Sequence, residues 1–267
     1  MELTSNSIVA IAELGGYIPA IVLAFIVCKR HGFGRSSGWY FTFTLSLIRI
    51  VGSVCQLLTI TNDSIGLLKA AIILDHIGLT PLLLATLGML SRLVDWINVQ
   101  SPSTISIKYF RIVQLLVLLG AVFGIIGAES SAENSISPWT DIAVICYVAA
   151  FAALAIILIK ALPSTDVIPN PERILAPAVG LALPFVFVRL LYQTLIVFVH
   201  RGPFARVGGS VLAHVFMAMV EEFIVVAVYL VLGFKLNRGR TAEKGRAEKG
   251  MTLGTESEQQ YQYSDGL

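Results

Sequence analysis

Apolar residues in this chain fall into seven long runs separated by short polar intervals. Each run is close to the about 20 residues that cross a hydrocarbon layer at 1.5 Å per residue. The pattern predicts transmembrane helices near residues 8–28, 39–60, 67–90, 110–128, 140–162, 174–199 and 210–234. The intervals carry helix breakers: KRHGFGRSSG at 29–38, TNDSIG at 61–66, Ser101-Pro102-Ser103, ESSAENSISP at 129–138, PSTDVIPNPER at 163–173 and HRGPFARVGG at 200–209. The expected fold class is all-α, a polytopic membrane bundle of seven transmembrane helices within residues 1–235. Pro81, Pro177 and Pro184 lie inside the runs and are expected to kink them.

Composition agrees with this pattern. Of 267 residues, 56% are hydrophobic and 13% charged, about half the charge a soluble domain needs to face water. Mean hydropathy is +0.80. A net charge of +2, from 19 basic and 17 acidic residues, supplies no concentrated cationic face, which excludes a nucleic-acid partner. Cys28, Cys55 and Cys146 sit in apolar runs without metal-ligand spacing and read as buried thiols, so neither a metal site nor a disulfide framework is expected. No cofactor-binding loop is visible. The first run lacks a Lys/Arg-rich start and is long enough to span, so it is expected to be a retained helix.

Charge also sets an orientation. The first, third and fifth intervals hold Lys29, Arg30, Arg35, Arg92, Lys108, Lys160 and Arg173, and the C-terminal tail adds Lys235, Arg238, Arg240, Lys244, Arg246 and Lys249. The opposite side has Arg201 and Arg206. Thirteen against two predicts a cytosolic tail and an N-terminus that is outside or lumenal, in an endomembrane or the plasma membrane. An odd number of spans satisfies that arrangement. Residues 236–267, with the near-duplicate AEKGR and AEKG at 242–250, are polar and expected to be a disordered cytosolic tail whose basic start can touch anionic lipids. Asn62-Asp63-Ser64 forms a glycosylation sequon, but in so short an interval it is expected to go unused.

Ionisable groups inside spans are the candidates for function, because each costs about 2.5–3.5 kcal/mol at a helix centre unless it faces protein or water. They are Glu13, Arg49, Asp75, His76, Arg189, His214, Glu221 and Glu222. Counting from the outer end of each span puts Glu13 about 8 Å deep, Asp75 about 12 Å, Arg189 about 15 Å, and Arg49 and Glu221 about 16 Å. They share one slab between the outer third and the midplane. Thr42, Ser46, Arg49, Ser53 and Gln56 recur at helical spacing and form one stripe. Tyr192 and Gln193 follow Arg189 by three and four residues, and His214 precedes Glu221 by seven, again predicting shared faces. Four carboxyls meet two guanidiniums, so each arginine is expected to hold one acid, leaving two carboxyls as proton donors. The competing reading is that such pairs only lock helices in register.

The segments AELGGYIPA at 12–20, RHGFGRSSGWYF at 30–41, SLIRIVG at 46–52, IGLTPLLLATLGMLSR at 77–92, LPFVFVRLLY at 183–192 and MVEEFIVVAVYL at 219–230 resemble an uncharacterised seven-span integral membrane protein family of filamentous fungi. The resemblance touches six of the seven spans. Such families are sometimes encoded beside secondary-metabolite genes, which implies a role with a lipophilic metabolite. It supplies no catalytic residues. Retinal proteins are excluded because helix seven has no lysine before Lys235, and Ser91-Arg92-Leu93 with a proline-free helix seven departs from G-protein-coupled receptors. Membrane-bound fungal terpene cyclases share size, span count and intramembrane acids, without shared local sequence.

The expectation is thus an intramembrane pocket for a lipophilic small molecule. Glu222, Glu221 and Asp75 are the candidate catalytic groups for acid–base isomerisation or cyclisation. Glu13, Arg49, His76, Arg189, Tyr192 and His214 are the candidate substrate-binding groups. The alternatives are a transporter or sensor using the same charges, and a membrane scaffold for pathway enzymes.

Overall fold

The computed structural model describes residues 5–31, 38–62, 64–100, 105–130, 137–168, 172–199, 202–204 and 210–236. The tail beyond Leu236, Arg35, Arg201, Arg206 and Asp63 of the sequon lie outside the described residues. Seven helices are long and apolar enough to cross a membrane, and no strand occurs among the described residues. The chain is a multi-pass integral membrane protein.

The helices are α1 (Ser5–His31), α2 (Gly38–Leu58), α3 (Ile65–Gln100), α4 (Ile107–Ser130), α5 (Pro138–Ala161), α6 (Leu175–Phe198) and α7 (Val211–Lys235). Consecutive helices pack as antiparallel neighbours, and α7 closes the bundle against α1 and α2. At the centre stands α3, which touches α2, α4, α5 and α6 and is the most buried of the seven. Lipid-facing positions on the outer helices stay apolar: Ile18, Val22, Ile112, Leu115, Ile145 and Ile159 are exposed on the bundle surface. Close helix approach uses small residues. A Cβ on Gly120 of α4 would stand 2.7 Å from the Tyr147 ring of α5, so only glycine admits that ring.

Three features differ from expectation for physical reasons. With 36 residues, α3 is about 54 Å long and runs well past the predicted end at 90. Its extension is amphipathic, burying Leu93, Val94 and Ile97, so Arg92 sits on a helix rather than in a loop. Pro177 lies in the first turn of α6, where no intrahelical N–H is required, so it does not interrupt the helix, while Pro81 and Pro184 lie inside α3 and α6, which continue as α-helix through them. In α7 a π turn spans Val215–Met219 between the α-helical pieces Val211–His214 and Val220–Lys235. Nothing in the hydropathy pattern announces that turn. Cys28 is buried as expected, whereas Cys55 and Cys146 are half-buried.

Candidate functional site

The polar stripe of α2 turns inward: Thr42, Ser46, Arg49 and Ser53 are all buried. Thr42 and Ser46 donate to carbonyls one turn back, Gly38 at 3.2 Å and Thr42 at 3.0 Å, and are satisfied within the helix. Arg49 and Ser53 reach across the bundle.

Arg49 meets Glu222 of α7, which with Arg189 of α6 is 0% exposed. Glu222 Oε2 accepts from Arg49 Nε at 2.6 Å and from the Tyr17 hydroxyl at 3.2 Å. Its Oε1 accepts from Arg189 Nε at 2.7 Å and from Arg49 Nη2. Arg49 Nη1 then donates to Asp75 Oδ1 on α3 at 2.7 Å, and Arg189 Nη2 approaches the same oxygen at 3.3 Å and the Asp75 carbonyl at 3.2 Å. Two guanidiniums and two carboxylates form a charge-balanced quartet joining α2, α3, α6 and α7. Glycine makes room for it. A Cβ at Gly78, three residues after Asp75, would lie 3.0 Å from Arg49 Nη2 and 3.2 Å from Cζ.

This geometry revises two expectations. Each arginine was to hold one acid, but both arginines share both acids. Glu222 has both oxygens doubly occupied by donors, which leaves no lone pair for an acid proton and assigns it to ion pairing rather than proton donation. The cause is the π turn, which effectively inserts one residue. His214 therefore lines up with the position eight residues on, Glu222, instead of seven on, and Glu221 leaves the shared face. Glu221 is partly exposed on the helix flank, and its Oε2 is covered with no hydrogen-bond partner.

The two carboxyls outside the quartet are Glu13 and Glu221. Glu13 is buried on α1, four residues before Tyr17, and its Oε2 accepts from Ser53 Oγ at 2.6 Å. Its other oxygen lies 3.9 Å from His214 Nε2, at the outer limit of an ion pair. His214 Nδ1 is 3.4 Å from the Tyr192 hydroxyl, and the Tyr192 ring lies under Arg189 at 5.9 Å. Arg189 Nη1 donates to Gln193 Oε1 at 3.3 Å, and Gln193 Nε2 bonds His76 Nδ1. The side chains of Asp75 and His214 are 27% and 28% exposed, so the cluster has an accessible edge on α3, α6 and α7. Next to His76 and Gln193 a crevice, also bounded by Thr140 and Tyr147, holds about 10 Å³ of free space, room for about one water.

A second polar cluster lies at the other end of the bundle, where sequence reasoning placed only a count of basic residues. Arg92 binds the buried Glu172 with two bonds, 2.5 and 3.1 Å, and stacks over Trp39 at 5.2 Å. Trp39 Nε1 donates to the Tyr229 carbonyl at 2.9 Å, its ring stacks on His31, and His31 Nε2 bonds the Gly233 carbonyl at 2.7 Å. With Arg30 Nη1 on the Phe234 carbonyl at 3.3 Å, α1 covers the carbonyl end of α7 with two basic side chains. Tyr17 and Gly78 were also missed. The spacing of Tyr17 from Glu13 was a usable signal, whereas the roles of Trp39 and Glu172 had none in the linear pattern.

Residues 3–239 match the family described as Domain of unknown function (DUF7702). The chain belongs to that family. No curated protein and no solved structure matches it. The region matched to DUF7702 takes in all seven helices and both polar clusters, and ends a few residues after α7.

Proposed function

We propose that this protein binds a lipophilic small molecule at the accessible edge of the polar cluster and moves a proton to and from it, with Glu13 and His214 as the exchanging pair. The reading rests on one observation. Among the described residues Glu13 is a buried carboxyl with no guanidinium on it, held by Ser53 and 3.9 Å from the Nε2 of a half-buried histidine. The neighbouring quartet has its charges cancelled, so it fixes the helices and sets the field without exchanging protons itself. Asp75, His76 and Tyr192 border the edge and offer polar contacts to a ligand whose body lies among the apolar helices. Protonation at one carbon of the ligand and deprotonation at another, one group giving and the other taking, is an isomerisation or a cyclisation with no net proton change.

The orientation that goes with this reading sets the Arg92–Glu172 end in the cytosol, next to Lys29, Arg30, Lys160 and Lys235, and the Glu13–His214 edge toward the outside or lumen. A role in secondary metabolism suits a lipophilic ligand. A carrier or sensor is the second reading, favoured by the π turn, since interrupted helices beside intramembrane charges accompany ion and substrate movement.

The test compares extracted and secreted metabolites from cells lacking the gene and from cells complemented with the wild type, Glu13→Gln or His214→Ala. A precursor that accumulates in the deletion and with both variants, while each variant still inserts, supports the enzymatic form. Altered secretion without a precursor supports the carrier. Full restoration by Glu13→Gln overturns the assignment of Glu13.

A further inference from the structure

We propose that Glu221 is a second, separate proton-binding site: a neutral carboxylic acid that opens onto the acyl chains rather than onto the polar cluster. Its position is the first ground. Ten residues after Val211 it is about 15 Å from the outer end of α7, and fourteen before Lys235 it is about 21 Å from the other, so it lies near mid-membrane.

Its direction is the second. Phe223, two residues on and about 200° around the helix, stacks on Tyr17 of α1 with ring centroids 4.4 Å apart. Glu221 therefore occupies the opposite flank, toward α6, at the border between the buried face that carries Glu222 and the exposed face that carries Val231. Partial exposure at that depth means contact with hydrocarbon.

The third ground is its surroundings. Among the described residues no cation pairs with Glu221, and its covered Oε2 accepts from no donor. The charged groups nearest on the packed elements are committed elsewhere. Arg189 of α6 and Arg49 of α2 bind Glu222 and Asp75, and Glu13 of α1 binds Ser53. A carboxylate so placed would have neither water nor counter-charge, whereas the neutral acid carries only an amide-sized polar cost. The π turn creates this site, because it is what turns Glu221 out of register with His214.

A lipophilic carbodiimide tests it on the full chain in membranes at neutral pH. Dicyclohexylcarbodiimide takes the acid proton on nitrogen while the carboxyl oxygen adds to its central carbon, and an acyl shift to nitrogen leaves a stable N-acylurea with nothing released. Peptide mapping should find the adduct on Glu221, lost in Glu221→Gln and kept in Glu221→Asp. A water-soluble carbodiimide should label the same residue at least about tenfold less. Glu13→Gln should leave the labelling intact, which separates this site from the Glu13–His214 reading. Absence of the adduct from Glu221, or equal labelling by both reagents, overturns the proposal, and thermal unfolding of Glu221→Gln in detergent near the wild-type midpoint confirms that a lost adduct is not lost folding.

Discussion

Replacing Arg49 by methionine removes three of the bonds that hold the quartet, two to Glu222 and one to Asp75, while keeping an apolar stem of similar length. What remains is Arg189 with two carboxylates, one uncompensated negative charge beside a fully buried Glu222. Breaking a buried pair by removing one partner costs about 3–5 kcal/mol, most of it from the stranded charge. The double variant Arg49→Met/Glu222→Gln leaves Asp75 and Arg189 to balance each other. It should recover at least about 1 kcal/mol relative to Arg49→Met alone, as contacting charges in one network are coupled. The assay is reversible unfolding in mixed micelles for the wild type, both single variants and the double. An Arg49→Met cost below about 1 kcal/mol, or a double variant as unstable as the sum of the singles, would refute the quartet as a coupled unit. Arg173→Ala is the control. Its partner Asp166 and it are 77% and 53% exposed, and loss of a surface pair of that kind changes stability by at most about 1 kcal/mol.

Gly78→Val should drive the Arg49 guanidinium off its site, since a Cβ there already falls 3.0 Å from Nη2, and lower stability by about 1–3 kcal/mol in the same assay. Tyr229→Phe removes the 2.8 Å hydroxyl bond to Thr86, which still donates to the Leu82 carbonyl, so the loss should be near 1 kcal/mol with the fold intact. Arg92→Ala strands the buried Glu172 and uncovers Trp39; it should destabilise more than Arg173→Ala, and a blue or red shift of tryptophan emission should accompany it, with unchanged emission counting against the stack. Deletion of residues 237–267 should leave metabolite processing unchanged if the intramembrane edge does the work, whereas a scaffold would fail without them.

That seven helices are long and apolar enough to span was legible in the sequence, because lipid demands about 20 apolar residues per crossing and satisfies no loose backbone. That Arg49, Asp75 and Arg189 stand at a common level of the bundle is what a count of residues along each helix predicts, and their contacts with each other and with Glu222 agree with it. The inward turn of the α2 stripe followed from 3.6-residue spacing, and the burial of Arg49 and Ser53 agrees with it. Partnership was not legible. Which acid meets which arginine depends on the rotation of each helix about its axis, and a single π turn in α7 rotated Glu222 into the quartet and Glu221 out of it. Hydropathy is blind to that turn, because one residue wound in excess changes no side chain's polarity. The Arg92–Glu172–Trp39–His31 cluster depended in the same way on α3 continuing past the apolar run and on 3-10 turns bringing Glu172 back beneath it. Composition and periodicity thus determined where polar groups lie along each helix, whereas the packing of seven axes decided which of them touch, because contact is set by helix rotation and neighbour order that no one segment encodes.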